Sequence, residues 1–266
     1  MVVIVAHRFG SFSFYTLLYE LSKNELKSRY SGNYGGILWA FVHPVCTIAI
    51  FWFVFSVGFK SAPVQETPFI LWLIAGIIPW FFFSEAIDGT SLSILESHFL
   101  VKKIVFDIRL LPLVKAVSAL CIHFFFVMMM MCLYCFYGYF PTIYWIQLLY
   151  YIVANCILIL GLGYLGSAIV VFFKDIRHLI SMGLQFGFWL TPIFWTLSLL
   201  PEAYWSFFKL NPMYYITQGF RDSLIEKVWF WQKPAETIVF WSISLCLLWS
   251  GKRLFETLKP HFADVI

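Results

Sequence analysis

The stretch DGTSLSILESHFLVKKIVFDIRLL, residues 88–111, is moderately polar and lies between two hydrophobic segments that are each long enough to cross a bilayer. A chain that only had to turn around could do so in a few residues. This stretch is longer, and its mixture of apolar and basic residues is typical of an amphipathic helix at a membrane surface. We therefore expect a helix outside the bilayer here, and a soluble partner that docks against it.

The composition identifies the solvent in which this chain folds. Hydrophobic residues make up 61% of the chain, aromatic residues 21% and charged residues 12%, and the mean hydropathy is +0.83. Soluble domains do not reach such values, whereas polytopic membrane proteins do. The 266 residues accommodate about six spans of roughly 20 residues with their connections. We therefore predict one all-α integral membrane domain over residues 1–266, without room for a separate catalytic domain.

Hydropathy peaks in six places along the chain, and each peak predicts a transmembrane helix. The six predicted ranges are 37–59, 69–84, 113–137, 144–173, 179–197 and 237–249.

Basic residues are divided unevenly between the connections. With the N-terminus inside, the cytoplasmic parts hold thirteen of the 18 Lys and Arg residues. These are Arg8, Lys23, Lys27, Arg29, Lys102, Lys103, Arg109, Lys115, Lys174, Arg177, Lys252, Arg253 and Lys259, while Lys60, Lys209, Arg221, Lys227 and Lys233 lie outside. Because cytoplasmic loops carry the excess of Lys and Arg, both termini are predicted to be cytoplasmic.

Two further segments are apolar but do not read as full spans. Residues 11–33 place aromatic and leucine side chains at helical spacing, which predicts an amphipathic helix in the membrane interface. Residues 201–233, between spans five and six, are aromatic yet carry several charges. They favour two short re-entrant helices on the outer side, with a break at Asn211-Pro212.

Two nucleotide-binding patterns have to be considered. Gly161, Gly163 and Gly166 spell GxGxxG, but they lie in an apolar helix with no preceding strand. We interpret them as a surface for close helix packing. The phosphate-binding pattern GxxxxGK[ST] does not occur in the sequence. If ATP drives this protein, another chain must hydrolyse it.

Four separated blocks carry a resemblance to one family. They are LKSRYSGNYGGILWAFVHP (26–44), FLVKKIVFDIRLLPL (99–113), FFKDIRHLISMGLQFGFWLTPIFW (172–195) and NPMYYITQGFRDSL (211–224). Over nearly its whole length, and in the same order, the chain resembles the membrane subunits of ABC-2-type polysaccharide exporters. These permeases move lipid-linked O-antigen, capsule or teichoic acid chains out of bacteria.

The resemblance implies that residues 88–110 form a cytoplasmic coupling helix, which sits in a cleft of the ATPase subunit. The ATPase contacts that it implies are Glu96, Lys102, Lys103, Phe106 and Arg109. A basic juxtamembrane segment held by anionic lipid is the alternative.

Arg29 and Tyr30 lie where the interfacial helix meets the first span. A guanidinium can pair bidentately with phosphate oxygens, so our hypothesis is that these residues meet the pyrophosphate of a polyprenyl carrier lipid where the substrate enters. Plain anchoring at the lipid headgroups is the alternative.

Spans one and five line the export channel, if the resemblance holds, and sugar rings can stack on their aromatic planes. The channel-lining residues predicted on this basis are Phe51, Phe55, Phe59, Gln185, Phe188 and Trp189. Aromatic side chains in spans also commonly face lipid or neighbouring helices, which is the alternative.

The 201–233 segment would supply the outer gate. The gate residues that we predict are Asn211, Pro212, Tyr215, Arg221 and Asp222. Arg221 and Asp222 could pair with each other or with a second copy of the chain, because ions at membrane depth are costly unless they have partners.

These expectations combine into one predicted function: the membrane subunit of an ATP-driven exporter that moves polyprenyl-pyrophosphate-linked polysaccharide across the bacterial inner membrane. The expected assembly is a homodimer in membrane lipid with two copies of an ABC ATPase, which holds the ATP and Mg. The chain itself is not expected to be an enzyme or to bind a cofactor, metal or nucleic acid.

Two other functions are compatible with the sequence. One is an ABC-2-type permease that exports drugs or lipids. The other is an integral-membrane glycosyltransferase or carrier-lipid enzyme, which would need clustered carboxylates, and Glu85 with Asp88 is the nearest approach to a pair.

Overall fold

The computed structural model describes residues 14–30, 35–60, 63–64, 67–101 and 107–265, with only the backbone described for Tyr30 and Leu100. In these ranges the regular structure is helical, apart from an isolated β-bridge between Val64 and Thr67. The predicted all-α membrane class is therefore confirmed.

Helices of fourteen residues or more make up most of the protein. They are α1 (Phe14–Tyr30), α2 (Trp39–Trp52), α3 (Phe69–Glu96), α5 (Leu110–Phe136), α6 (Gln147–Phe172), α7 (Ile176–Leu190) and α10 (Pro234–Leu258). Shorter helices occupy the connections: α4 (His98–Val101), α8 (Trp205–Lys209), α9 (Pro212–Arg221) and α11 (Phe262–Val265).

Within the described ranges, five helical segments are long and apolar enough to cross a membrane. They are Gly36–Gly58, Phe69–Glu96, Leu110–Phe136, Ile143–Phe172 and Pro234–Val265. The predicted span at 179–197 is not among them, because α7 has 15 residues and ends at Leu190. The reason is local: Thr191 precedes Pro192 and takes an extended ψ of 133°, since the proline ring excludes the helical conformation from the residue before it.

The helix α3 corrects two predicted boundaries. It has 28 residues and continues to Glu96, so the predicted end of span two at residue 84 is wrong, as is a separate helix over 88–110. Gly89, Thr90 and Ser91 are buried small residues of α3 rather than the start of a polar loop. Thr90 also satisfies its own hydroxyl, which donates to the Ile87 carbonyl at 3.2 Å. The start of the stretch 88–111 therefore packs between helices as part of α3, where the sequence predicts a separate helix outside the bilayer.

The core is built around α3, which packs against α5, α6, α7 and α9, while α10 packs along α6. A large apolar cluster surrounds most of α3, and a smaller one lies beyond its C-terminal part. In contrast, none of the residues of α7 is buried, and α2 buries only Ala40 and Ile48. Two neighbouring helices therefore present most of their surface outward.

The glycines of α6 are where it approaches its neighbours, as predicted. A Cβ added at Gly161 would lie 2.8 Å from the backbone nitrogen of Leu248 in α10, and one at Gly163 would lie 2.6 Å from the Thr90 hydroxyl oxygen in α3. On the α10 side, a Cβ at Gly251 would collide with the Gly161 carbonyl oxygen. Glycine at these positions lets the backbones approach closely, as small residues do in membrane helix pairs.

We expect Gly251→Ala to destabilise the protein by about 1–3 kcal/mol, because the added methyl group meets a backbone oxygen that cannot move without shifting α6. The measurement is the thermal unfolding midpoint in detergent. Gly183→Ala on α7 is the matched control, since nothing lies within 4 Å of a Cβ built there. Equal midpoints for the two variants would contradict this account of the α6–α10 contact.

The segment between α7 and α10 contains the predicted break. Asn211 caps α9, its side-chain oxygen accepting a hydrogen bond from the Met213 backbone N–H at 3.0 Å, and Pro212 occupies the first helical position. Two short helices, α8 and α9, therefore lie on either side of Asn211-Pro212. The segment also contains an irregular helical turn at Asp222–Glu226 and a left-handed residue, Lys227, with φ of 56°.

Candidate functional site

Charged side chains gather at the two ends of α3. Its 28 residues span about 42 Å at roughly 1.5 Å per residue. We call the two regions the Glu96 end and the Phe69 end, after the residues at which α3 stops and starts. Among the described residues, the predicted coupling and entrance residues Arg29, Glu96 and Arg109 belong to the Glu96 end, and the predicted gate residues belong to the Phe69 end.

Lys115 joins three helices at the Glu96 end. Its ammonium lies 2.5 Å from a carboxylate oxygen of Glu25 in α1 and 2.6 Å from one of Glu96 in α3. The lysine side chain is only 10% exposed, whereas that of Glu96 is 51% exposed. Glu96, predicted to contact the ATPase, is thus held in place by a lysine of α5 while half of it faces outward.

Arg29 is held by a carboxylate on α3. Its Nη1 donates to Glu85 Oε1 at 2.7 Å, and the two side chains are 30% and 29% exposed. The guanidinium also lies beside Gly89, one turn further along α3, where an added Cβ would be in ordinary van der Waals contact with Arg29 Nη2 at 3.5 Å. The guanidinium is therefore positioned by one carboxylate and remains partly accessible. The side chain of Tyr30 lies outside the description.

The turn at Asp107–Arg109 contacts the end of α10. Arg109 pairs bidentately with Glu256, at 2.5 Å through Nε and 2.7 Å through Nη2, and this hydrogen bonding raises the pKa of the guanidinium above its usual value. Lys259 lies 3.3 Å from Asp107, and the Tyr164 hydroxyl donates to the Arg109 carbonyl at 3.2 Å. Of the predicted ATPase contacts, Lys102, Lys103 and Phe106 lie outside the described residues.

An aromatic cluster joins the first span to α7. The ring of Phe51 lies 5.9 Å from that of Phe188 and 4.7 Å from that of Phe194, and Phe55 stacks on Phe194 at 5.5 Å. Trp189 also lies 5.5 Å from Phe194, and Phe59 lies 5.6 Å from Phe55. The structure thus brings five of the six predicted channel residues together in a cluster centred on Phe194, while Gln185 is exposed on α7.

Polar residues form a stripe along α7. Arg177, His178, Ser181 and Gln185 recur at a spacing of three to four residues, which places them on one side of the helix, and all four are exposed. Leu179, Met182, Phe186 and Leu190 form a second exposed stripe beside it, which is apolar. The helix therefore presents two chemically different surfaces.

Arg221 occupies the centre of the Phe69 end. It is 2% exposed, and it donates from Nη1 to the Pro192 carbonyl at 2.7 Å and from Nη2 to the Ile193 carbonyl at 2.9 Å. The guanidinium carbon lies 3.5 Å from the centre of the Trp72 ring. The hypothesis that Arg221 pairs with Asp222 is therefore wrong: the arginine binds the carbonyls that the break after α7 leaves without helical partners.

Asp222 pairs with Lys233 instead of Arg221. Its carboxylate accepts hydrogen bonds from Lys233 at 2.7 and 2.8 Å and from Gln218 at 3.1 Å. The Asp222 side chain is almost fully buried, and Lys233 supplies the positive charge that compensates it. Asp222 thereby connects the turn after α9 to the residue that precedes α10.

Tyr215 and Asn211, two further predicted gate residues, also bind neighbouring elements. The Tyr215 hydroxyl lies 2.9 Å from that of Tyr150 in α6 and 3.1 Å from that of Thr237 in α10. Asn211 donates to the Thr191 hydroxyl at 2.9 Å, across the break that follows α7. The predicted gate residues therefore form links between helices rather than one cluster.

Sequence reasoning missed the partners of these residues. They are Glu85, Lys115 and Glu256 at the Glu96 end, and Trp72 and Lys233 at the Phe69 end. All are visible as charged or aromatic residues at the edges of apolar runs. Most of the pairs are far apart in sequence, up to 149 residues for Trp72 and Arg221, so no local spacing could have matched them.

Comparison with known proteins connects this arrangement to a family. Residues 16–225 match the ABC-2 type transporter family. The chain is also 29% identical over 254 residues to the O-antigen export system permease protein RfbA of Myxococcus xanthus, covering 94% of this chain and 95% of that protein. An O-antigen export system permease protein RfbA of Klebsiella pneumoniae is 25% identical, with 95% of each chain covered. Since the family match extends over most of the chain, this multi-pass membrane protein belongs to the ABC-2 type transporter family.

Proposed function

We propose that this protein is the membrane subunit of an ATP-driven exporter of lipid-linked polysaccharide, and that it works as a homodimer with two ABC ATPase subunits. The names of the two relatives and the coverage of both chains support an O-antigen-like substrate. ATP and Mg are held by the ATPase subunits, which hydrolyse the nucleotide. The substrate is a polyprenyl-pyrophosphate-linked chain that leaves the cytoplasm across the bacterial inner membrane.

The polar stripe on α7 is the observation that carries this proposal. Polar and charged side chains in membrane segments face a bundle interior or a water-filled cavity, because exposing them to lipid is costly. In one copy of the chain the stripe is exposed, along with most of α2. A second copy that covers this face would enclose a polar pathway, bordered by the aromatic cluster around Phe51 and Phe188. A hydrated polysaccharide could pass there.

The arrangement in the membrane follows from the same proposal. α7 and the broken segment after it, which includes α8 and α9, together cross or enter the outer part of the bilayer and act as the fifth of six spans and the outer gate. α1 lies in the inner interface. Both termini and the Glu96 end are cytoplasmic, in agreement with the distribution of Lys and Arg.

At the Glu96 end, the ATPase would contact the chain around α4 and the Asp107–Arg109 turn, with Lys102, Lys103 and Phe106 between them. Glu96 is a contact whose carboxylate is half exposed. Closure of the ATPases on ATP would displace this region, and α3 and α5, which begin or end there, would transmit the movement to the pathway.

The proposal is tested by purifying the complex and assaying transport. The chain is co-expressed with the ATPase gene nearest to its own, extracted in mild detergent, and weighed by native mass spectrometry. We expect a complex of two permeases and two ATPases whose ATP hydrolysis is stimulated by a polyprenyl-linked glycan. Stimulation by small hydrophobic compounds instead would identify a drug or lipid exporter, and a chain that binds no ATPase would refute the proposal.

The pairing of Arg29 with Glu85 yields a prediction about the entrance. We expect Arg29→Ala to lower export about tenfold, since a hydrogen bond to a charged group contributes roughly 1.5–3 kcal/mol and the lipid pyrophosphate would lose one or two of them. Glu85→Gln keeps the guanidinium and removes the carboxylate that competes for it. Export by this control variant is expected to stay within about twofold of the original.

The measurement is glycan export in cells with matched membrane levels of each variant. If Arg29 serves only to anchor α1 to α3, both substitutions break the same ion pair and reduce export equally. That outcome, or unchanged export by Arg29→Ala, would contradict a role in binding phosphate.

A further inference from the structure

We infer that the C-terminal part of α10 and the residues after it form a clamp that positions the ATPase-facing turn, and that Arg109 acts through Glu256 rather than by touching the ATPase. This clamp, defined by Glu256, Lys259 and Phe262, rests on the proposed function. It assigns a role in coupling to a region far in sequence from the coupling segment.

The polar contacts of the clamp are specific in geometry. Both oxygens of Glu256 are engaged by Arg109, at 2.5 and 2.7 Å, and a bidentate pair of this kind fixes the relative orientation of its two side chains. Lys259 reaches Asp107, on the other side of the same turn, at 3.3 Å. Two charges of the C-terminal region therefore hold two charges of the Asp107–Arg109 turn.

Buried apolar contacts also connect the C-terminal region to the turn. Phe255 and Phe262 are fully buried, and they belong to one cluster with Val101 and Ile108. Val101 ends α4 and Ile108 lies in the turn, so both elements share one apolar cluster with the C-terminal aromatic rings. The C-terminal region thus packs with the end of α4 and with the turn that precedes α5.

A third contact comes from α6. The Tyr164 hydroxyl donates to the backbone carbonyl of Arg109 at 3.2 Å, and the Tyr164 ring meets that of Phe255 edge-on at 5.2 Å. The turn is therefore held through its backbone as well as its side chains. A force applied to the turn would reach α10 and α6 as well as the two helices that the turn connects.

The exposure of the Arg109–Glu256 ion pair indicates that it positions the turn rather than stabilises the fold. The side chains of Arg109 and Glu256 are 49% and 33% exposed, and ion pairs as accessible as this one contribute little to folding. Reversing either charge should leave the protein folded, because the buried rings remain. It should also release the turn, because two like charges would then face each other.

The test uses the full complex with three clamp variants, Arg109→Glu, Glu256→Arg and the double swap, each carrying normal thermal stability. For each single reversal we expect glycan exported per ATP hydrolysed to fall roughly tenfold, and for the swap a recovery to within about threefold of the original. Arg253→Glu is the matched control: it reverses a charge in the same helical turn, where the described contact is with the Trp249 ring at 5.9 Å.

Hydrogen exchange of the purified chain adds a readout that needs no ATPase. The amides of residues 108–111 should exchange roughly tenfold faster in Glu256→Arg and return towards the original rate in the swap. Unchanged exchange and export in the single reversals, or a swap that restores neither, would overturn the clamp. If the original chain binds no ATPase, the coupling role falls together with the proposed function, even where exchange reveals a held turn.

Discussion

Arg221→Ala is expected to abolish recovery of the folded protein, or to lower its free energy of unfolding by about 3–5 kcal/mol, the largest effect that we expect of any single substitution in this chain. The arginine is fully inside the protein, between α9, the start of α3 and the residues that follow α7. Its removal leaves a cavity over Trp72 and deprives two buried carbonyls of their donors.

The size of the effect follows from what those carbonyls would lose. Pro192 and Ile193 follow the end of α7, where Thr191 is extended, so no later helical turn supplies N–H groups to their backbone oxygens. The guanidinium supplies short hydrogen bonds to the oxygens of Pro192 and Ile193, and each such bond to a charged group contributes about 1.5–3 kcal/mol. Gly76 makes this possible, because an added Cβ would lie 2.6 Å from Nη2.

Arg253→Ala is the control for the loss of the cation–π contact between an arginine and a tryptophan ring. Arg253 also lies over an indole, that of Trp249, but at 5.9 Å and on an exposed surface. We expect its removal to change the free energy of unfolding by less than about 1 kcal/mol. Arg221→Lys should remain strongly destabilised, since one ammonium cannot both stack on the ring and reach the two carbonyls in one plane. A normal midpoint for Arg221→Ala in detergent would contradict this description of the Phe69 end.

The positions of most helices could be predicted from the sequence because an apolar run of a given length is a local property. The runs beginning at residues 37, 69, 113, 144 and 237 all fall in long helices. The ends of these helices are harder to predict from the sequence. Gly89, Thr90 and Ser91 are small or polar residues, and the packing of Gly163 and Gly166 of α6 against Thr90 and Ser91 explains why this stretch is buried.

The site was less predictable than the fold, because its chemistry depends on pairs between distant residues. Arg221 and Asp222 are neighbours in sequence and carry opposite charges, so a pair between them was the simplest hypothesis. On a helical turn their side chains point in different directions. In the structure, Arg221 donates to the carbonyls after α7, and Asp222 accepts from the Lys233 ammonium. Neither pairing can be predicted without knowing how α9 packs.

The second large effect is expected on transport rather than on stability. Replacing Ser181 and Gln185 together by leucine should lower export at least about tenfold, because it turns the polar stripe of α7 into an apolar wall that does not bind water or sugar hydroxyls. The unfolding midpoint and ATPase binding should stay the same, since both side chains are exposed in the single chain. Export and thermal stability, measured on the same preparations, separate the two effects.

The control for this pair lies on the adjacent stripe. Met182→Leu with Phe186→Leu changes two exposed residues on the same helix and keeps the surface apolar, so export should remain within about twofold of the original. If both double variants export equally well, α7 turns its polar side towards something other than the pathway, and the dimer arrangement proposed above would be wrong. If only the polar stripe is sensitive, the water-filled route runs along α7, because lipid would favour the leucine variant rather than penalise it.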